Sequence, residues 1–137
     1  MNIGQITIGV ILYIFGKVAA AKIQYNSIVQ EIEKYNRKDT VNMTPDEMNR
    51  FRHIAASAYY VSSGYEEIII EVLGHIKEIN DYIKKGGWTD SDFDKINNAI
   101  GRKIGKQFRY KNKKEMFDYI FKTEINFRRP VSKQIKF

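Results

Sequence analysis

Apolar residues crowd the start of the chain and then thin into a helical rhythm. The run from Ile6 to Gly16 carries no charge over eleven residues, with Gln5 before it and Lys17 after it. A bilayer span needs roughly 20 apolar residues, and runs of about 10 to 14 commonly mark a buried helix or the core of an export signal. Continued through Ala19-Ala20-Ala21, with Lys17 and Lys22 snorkelling, the same helix becomes long enough for a single anchor. The positive-inside bias would then keep the body of the chain on the cytoplasmic side. Ala19-Ala20-Ala21 also fits a cleavage site, yet no Lys or Arg precedes the run, as a secretory leader requires. Residues 3–23 are therefore open to three readings: membrane anchor, buried or oligomer-forming helix, or export signal.

From Ala21 to Arg37, Ile28, Val29, Ile32 and Tyr35 recur at three- and four-residue steps against Glu31, Glu33 and Lys34. One unbroken helix is predicted to run from the apolar segment into this one. Lys38 to Met43 reads as a polar connector. Thr44-Pro45-Asp46-Glu47 is the sharpest local signal: Thr44 as N-cap, Pro45 at the first helical position and Glu47 closing a capping box. That helix is predicted to run to Ser63 and stop at Gly64. Tyr65, Ile69, Val72, Ile76, Ile79 and Ile83 form a core-facing seam on the next helix, about 66–85, before Gly86-Gly87. Thr89 caps a further helix, about 90–106, with a stripe of Phe93, Ile96, Ile100 and Ile104. Asn112 starts a short last helix through Phe121, and the end of the tail from Thr123 is expected to be loose.

The expected fold is all-α: a small bundle of four to five helices with a long apolar N-terminal helix. It divides into that helix (1–40), the bundle (41–122) and a basic tail (123–137). At 137 residues the chain holds one modest core. It has no cysteine, which removes disulfides, thiolate metal sites and a cysteine nucleophile. The net charge of +7 is uneven: residues 102–137 carry twelve Lys/Arg against three acids, and residues 1–101 carry eleven against thirteen. The basic C-terminal quarter suits an anionic partner or an ordinary solvated surface. Nucleic acid is disfavoured, because Phe117, Ile120 and Phe121 are spaced as core residues rather than as a stacking platform.

Polar chemistry gathers at three helical segments. On the first, Asn49, His53, Ser57 and Tyr60 share a face, and histidine is the residue type suited to proton transfer or metal ligation. On the second, Glu78 shares a face with Glu71, Gly74 and Asp81, and His75 lies three residues before it. Periodicity alone makes this face solvated, but the mid-helix Gly74 hints at a close neighbour. On the third, Asp94, Asn98, Gly101 and Gly105 line up, and two glycines on one face suggest a close helix contact that would bury Asp94 and Asn98. Buried carboxylates need partners. The expectation is that His53, Glu78, Asp94 and Asn98 converge as catalytic groups, with Arg52 or Lys77 balancing charge. A metal site of His53, Glu78 and Asp94, with His75 as a further donor, would take zinc or manganese.

Arg52-His53-x-x-x-Ser57, then Lys77-Glu78-x-x-Asp81, then Asp94-x-x-x-Asn98-x-x-Gly101-Arg102 resembles several groups across about residues 48 to 106. These are the YfiM-type envelope lipoproteins, the C-terminal domains of Rhs and polymorphic-toxin proteins, and serum amyloid A, a lipid-binding helical bundle. A further group pairs Phe-Arg-His with Asp-Leu-x-Asn-Asn-x-x-Gly-Arg, close to Phe51-Arg52-His53 and to Asp94 through Arg102. The resemblance marks His53, Ser57, Glu78, Asp81, Asp94, Asn98 and Gly101, and implies a bacterial or phage protein. Asn49 departs from it, standing where aspartate is common. So does the Gly74-His75 to Glu78 spacing, which differs from a contiguous His-Glu pair. The groups have no common reaction. Two functions are expected to compete. One is a membrane- or assembly-associated hydrolase using metal or acid–base chemistry. The other is a non-catalytic lipid-binding or assembly module, attached to a membrane or to its own copies through residues 3–23.

Overall fold

The structure is a computed structural model that describes residues 2–85 and 92–137. It is all-helical among the described residues, with α1 (Ile3–Asn36), α2 (Pro45–Ser62), α3 (Glu67–Lys85), α4 (Asp92–Gln107) and α5 (Lys113–Ile120) in order. The expected Gly86-Gly87 stop and Thr89 cap lie outside the described residues. A π-helical turn, Phe121–Ile125, carries α5 into two short 3₁₀ turns, Asn126–Arg128 and Val131–Lys133.

α1 is one unbroken helix of 34 residues, about 50 Å long at roughly 1.5 Å per residue. Its seam on the bundle runs through Val18, Ala21, Ile28, Ile32 and Tyr35, all buried, with Ile14 partly buried against the core one turn earlier. Before that seam, Ile3, Ile8, Leu12 and Phe15 are each 60 % or more exposed. α1 therefore has two chemistries: a wall of the core in its second half, and a bare apolar rod in its first. By length and composition it is able to cross a membrane.

α2 is the central element. Thr44 and Glu47 form the reciprocal capping box, at 3.2 Å and 2.9 Å, and Pro45 opens the helix. Its far end stops at Gly64, whose φ of +111° is a conformation that L side chains rarely adopt. Phe51 stacks on Tyr35 of α1 with ring centroids 5.1 Å apart, and Phe117 of α5 meets both edge-on at 5.8 Å and 5.6 Å. The Tyr35 hydroxyl donates to Asp118 at 2.7 Å. Burial first, and that carboxylate second, push its pKa up. Tyr60 donates to the Ala21 carbonyl at 2.6 Å, so a phenol joins α2 to α1 just where α1 enters the bundle.

One expectation about the outer elements changes. Ile79 and Ile83, placed on the α3 core seam by periodicity, are 51 % and 71 % exposed, and Ile96 of α4 is exposed too. Burial on α3 centres on Ile69 and Ile70 near its start; the rest of the seam runs on with progressively less cover. The start of the tail is also tied to the bundle, while Val131 and Phe137 near its end keep 83 % and 74 % exposure. Asn126 is buried and exchanges two 2.8 Å bonds with the backbone of Ile135. Arg129 donates to both Glu47 oxygens at 2.7 Å and 3.0 Å and to the Val41 carbonyl at 3.0 Å. Arg50 reaches the Glu124 carboxylate at 3.0 Å and Asn97 at 2.6 Å. Part of the basic quarter is thus spent on internal pairing.

Burial alone would raise the Glu47 pKa, but the bonds from Arg129 and Thr44 outweigh it and hold the carboxylate below its ordinary value of 4.5. A depressed folded-state value contributes stability above the unfolded pKa and loses it as pH falls through the folded one. Glu47→Gln, which keeps the capping box, should therefore unfold at a lower temperature than the parent at neutral pH. Thermal unfolding across a pH series should find that gap closing below about pH 4.5; a gap constant with pH would contradict it.

Candidate functional site

The site is built on the contact between α2 and α4, the most extensive helix pair in the fold. A Cβ on Gly101 would come to 2.9 Å from the Ser57 Cβ and would overlap the Ile54 carbonyl oxygen. A Cβ on Gly105 would lie 2.5 Å from the Ala58 carbonyl oxygen. The two glycines let α4 lie directly on the α2 backbone, opposite Ile54, Ser57, Ala58 and Val61. Asn98 and Asp94 sit one and two turns before Gly101, so the same contact lowers them onto His53.

His53 Nδ1 lies 3.3 Å from Asn98 Oδ1, and Nε2 lies 3.4 Å from Asp94 Oδ1. The His53 and Asp94 side chains keep only 20 % and 19 % of their exposure. Both ring nitrogens face oxygen acceptors. A neutral imidazole donates to one of them and an imidazolium to both. Beside His53 is a cavity of about 360 Å³, lined by His53 and Asn98 but not by Asp94. Asp94 thus meets the ring away from the cavity, and His53 and Asn98 form part of the cavity wall. Asn49, Ser57 and Tyr60 line the same cavity from α2, so the face read from the sequence is the face that the cavity uses.

The remaining candidates are dispersed. Arg52 lines the cavity but does not balance Asp94; it donates to Glu33 of α1 at 2.9 Å and 2.7 Å. Lys77 is at the rim, with its ammonium 5.8 Å from the centre of the Tyr25 ring. Ser57 is buried against Gly101. Gly74 is not forced by crowding, since a Cβ there would meet only Asn98 Nδ2 at 4.0 Å; it leaves a shallow wall opposite that amide. Glu78 is not among the cavity-lining residues. α3 presents Leu73, Gly74, Ile76, Lys77 and Asn80 to the cavity at helical steps, and Glu78 falls beside that stripe, 3.7 Å from His75. The Asp81 side chain lies outside the described residues.

The metal expectation is corrected accordingly. Among the described residues no three His, Asp or Glu side chains converge as a metal-holding group. His53 and Asp94 meet each other, whereas Glu78 and His75 are paired along one turn of α3. Sequence reasoning also missed Lys22 and Tyr25, which reach the cavity from α1. Their signal was available only as the polar flank of a helix read for its apolar face. No protein-family model, curated protein or solved structure matches the chain.

Gly101→Ala should destabilise the fold by about 1–3 kcal/mol, the usual cost of overpacking. Gly16→Ala, where a Cβ meets nothing within 4 Å, should leave the body unchanged. Thermal unfolding of both variants checks this, and a Gly101→Ala protein as stable as its parent would rule out the close approach.

Proposed function

We propose that the protein is a membrane-anchored hydrolase with an acid–base site, in which His53 transfers the proton and Asp94 is the positioning residue. The observation that carries this reading is the placement of His53 beside the cavity, with Nε2 3.4 Å from the Asp94 carboxylate and Nδ1 3.3 Å from the Asn98 side-chain oxygen. A base activating water needs its accepting nitrogen within hydrogen-bond reach of the reacting site, and a third group to fix the ring. Asp94 supplies the second role, and Nδ1 takes the first once a water replaces the Asn98 oxygen beside it. The Asn98 amide, 3.3 Å from Nδ1, is the group that a bound water or substrate would displace. Proton transfer by a positioned histidine is worth roughly 10²–10⁴ in rate.

The membrane half of the reading rests on α1. Ile3, Ile8, Leu12 and Phe15 of its first half stay 60 % or more exposed, and an exposed apolar surface of that kind is covered by lipid or by another chain. Lys17 and Lys22 follow it as interfacial anchors. The resemblance to envelope and toxin proteins involves the same α2 and α4 residues and supports a bacterial or phage setting.

A second reading draws on one observation. Both His53 nitrogens face α4, so the cluster also serves to fix how α2 and α4 pack, in a protein that binds or assembles without catalysis. Hydrolysis of a panel of chromogenic carboxylate and phosphate esters by the full chain in nonionic detergent separates the two. His53→Ala should abolish turnover with only a small loss of melting temperature. Asp94→Asn should lower kcat far more than it raises KM and should distort the pH profile. Absence of turnover in the parent, with His53→Ala acting on melting temperature alone, would leave the packing reading.

The anchor is checked by flotation with vesicles. Ile8→Lys with Leu12→Lys, at roughly 2.5–3.5 kcal/mol per buried charge, should release the chain from lipid without altering its helix content. Retention on the vesicles would overturn the anchor.

A further inference from the structure

We infer that the cavity beside His53 binds an anionic amphiphile: a phosphate monoester head held by lysines from two helices, with a short alkyl segment against the α3 wall. The inference rests on the same cavity as the hydrolytic reading and names its ligand, while requiring no turnover.

Charge is the first argument. Lys22 from α1, Arg52 and His53 from α2 and Lys77 from α3 all line the cavity, and among the described residues no Asp or Glu lines it. The carboxylates nearby face the deeper groups, Glu33 the Arg52 guanidinium and Asp94 the His53 ring. Lys22 and Lys77 make no ion pair among the described residues. Two ammonium groups on long stems, facing one opening from separate helices, match the double charge of a phosphate monoester. The amides of Asn49, Asn80 and Asn98 supply further polar contacts around the same opening.

Apolarity is the second. Ile70, Leu73 and Ile76 form a continuous aliphatic strip on the α3 side. Sites for small molecules combine such walls with a few placed polar groups, in volumes of about 300–1,000 Å³; at about 360 Å³ this one suits a head and a short chain. A bare phosphate would leave the strip wet, and a neutral alkyl chain would leave the lysines unanswered. Position is the third. Lys22 lies five residues beyond Lys17, where the uncharged stretch of α1 ends. At roughly 1.5 Å per residue, that brings the cavity rim about 8 Å from that boundary, within reach of lipid head groups or of soluble esters.

Titration calorimetry of the full chain in nonionic detergent, with four probes, tests the inference. Hexyl phosphate should bind at least tenfold more tightly than inorganic phosphate or hexanol, and hexyltrimethylammonium should not bind. Lys22→Ala with Lys77→Ala should weaken hexyl phosphate about tenfold at unchanged helix content. Ile76→Ser should weaken hexyl phosphate but not inorganic phosphate. In nanodiscs, competition by phosphatidic acid identifies a bilayer source for the ligand, and its absence a soluble one. Equal binding of hexanol and hexyl phosphate, or indifference to the lysine pair, overturns the proposal. Binding without turnover removes only the hydrolytic reading, whereas turnover of uncharged esters without hexyl phosphate binding removes only this one.

Discussion

The distance between α2 and α4 is set by the hydrogen atoms that Gly101 and Gly105 carry in place of side chains. Where a Cβ would overlap the Ile54 carbonyl, the two backbones instead make direct contact. Interiors packed at crystal density have little room to yield, so this contact fixes the register of α4 along α2 within a fraction of a turn. Everything polar in the site inherits that register. Asn98 and Asp94 are the next two residues on the glycine face, and His53 is one turn before Ser57 on the opposing helix. A single steric fact thereby builds both the core seam and the imidazole's surroundings.

A second set of constraints closes the other end of the bundle. The stacked Tyr35 and Phe51 rings, with Phe117 edge-on to both, lock the end of α1 to α2 and α5. Arg50 and Arg129 then draw the tail back across α2, using Glu124 and Glu47. These are half-buried, multiply bonded arginines, the kind of charge pair that adds geometric definition rather than bulk stability. The polar site is thus flanked by a steric lock and by an aromatic and ionic one, and the cavity lies between α1, α2 and α3, where neither fills the space.

Local signals carried most of the fold into the sequence. The Thr44 capping box, Gly64 and the Asn112 cap are read within four residues of themselves, so helix limits follow directly. The Gly101/Gly105 pair was legible for the same reason: both residues sit on one face of one helix, and small residues on a face imply a close neighbour. That made Asp94 and Asn98 visible as partners for His53. Glu78 was misjudged because helical phase places it near Gly74 without saying which side of α3 turns to the cavity. The tie between tail and bundle was not legible because Arg129 and Glu47 are 82 residues apart, and nothing local marks two charges as a pair. The cavity wall on α1 was hidden behind the apolar pattern that dominates that helix.

The continuity of α1 has a mechanical consequence. The bare segment and the stretch bearing Lys22 and Tyr25 belong to one rod, with no proline and no break between Ile3 and Asn36. A helix of this kind transmits tilt and axial rotation along its length instead of absorbing them at a hinge. Whatever grips the free end, lipid or a second chain, therefore holds a lever whose short arm is one wall of the His53 cavity.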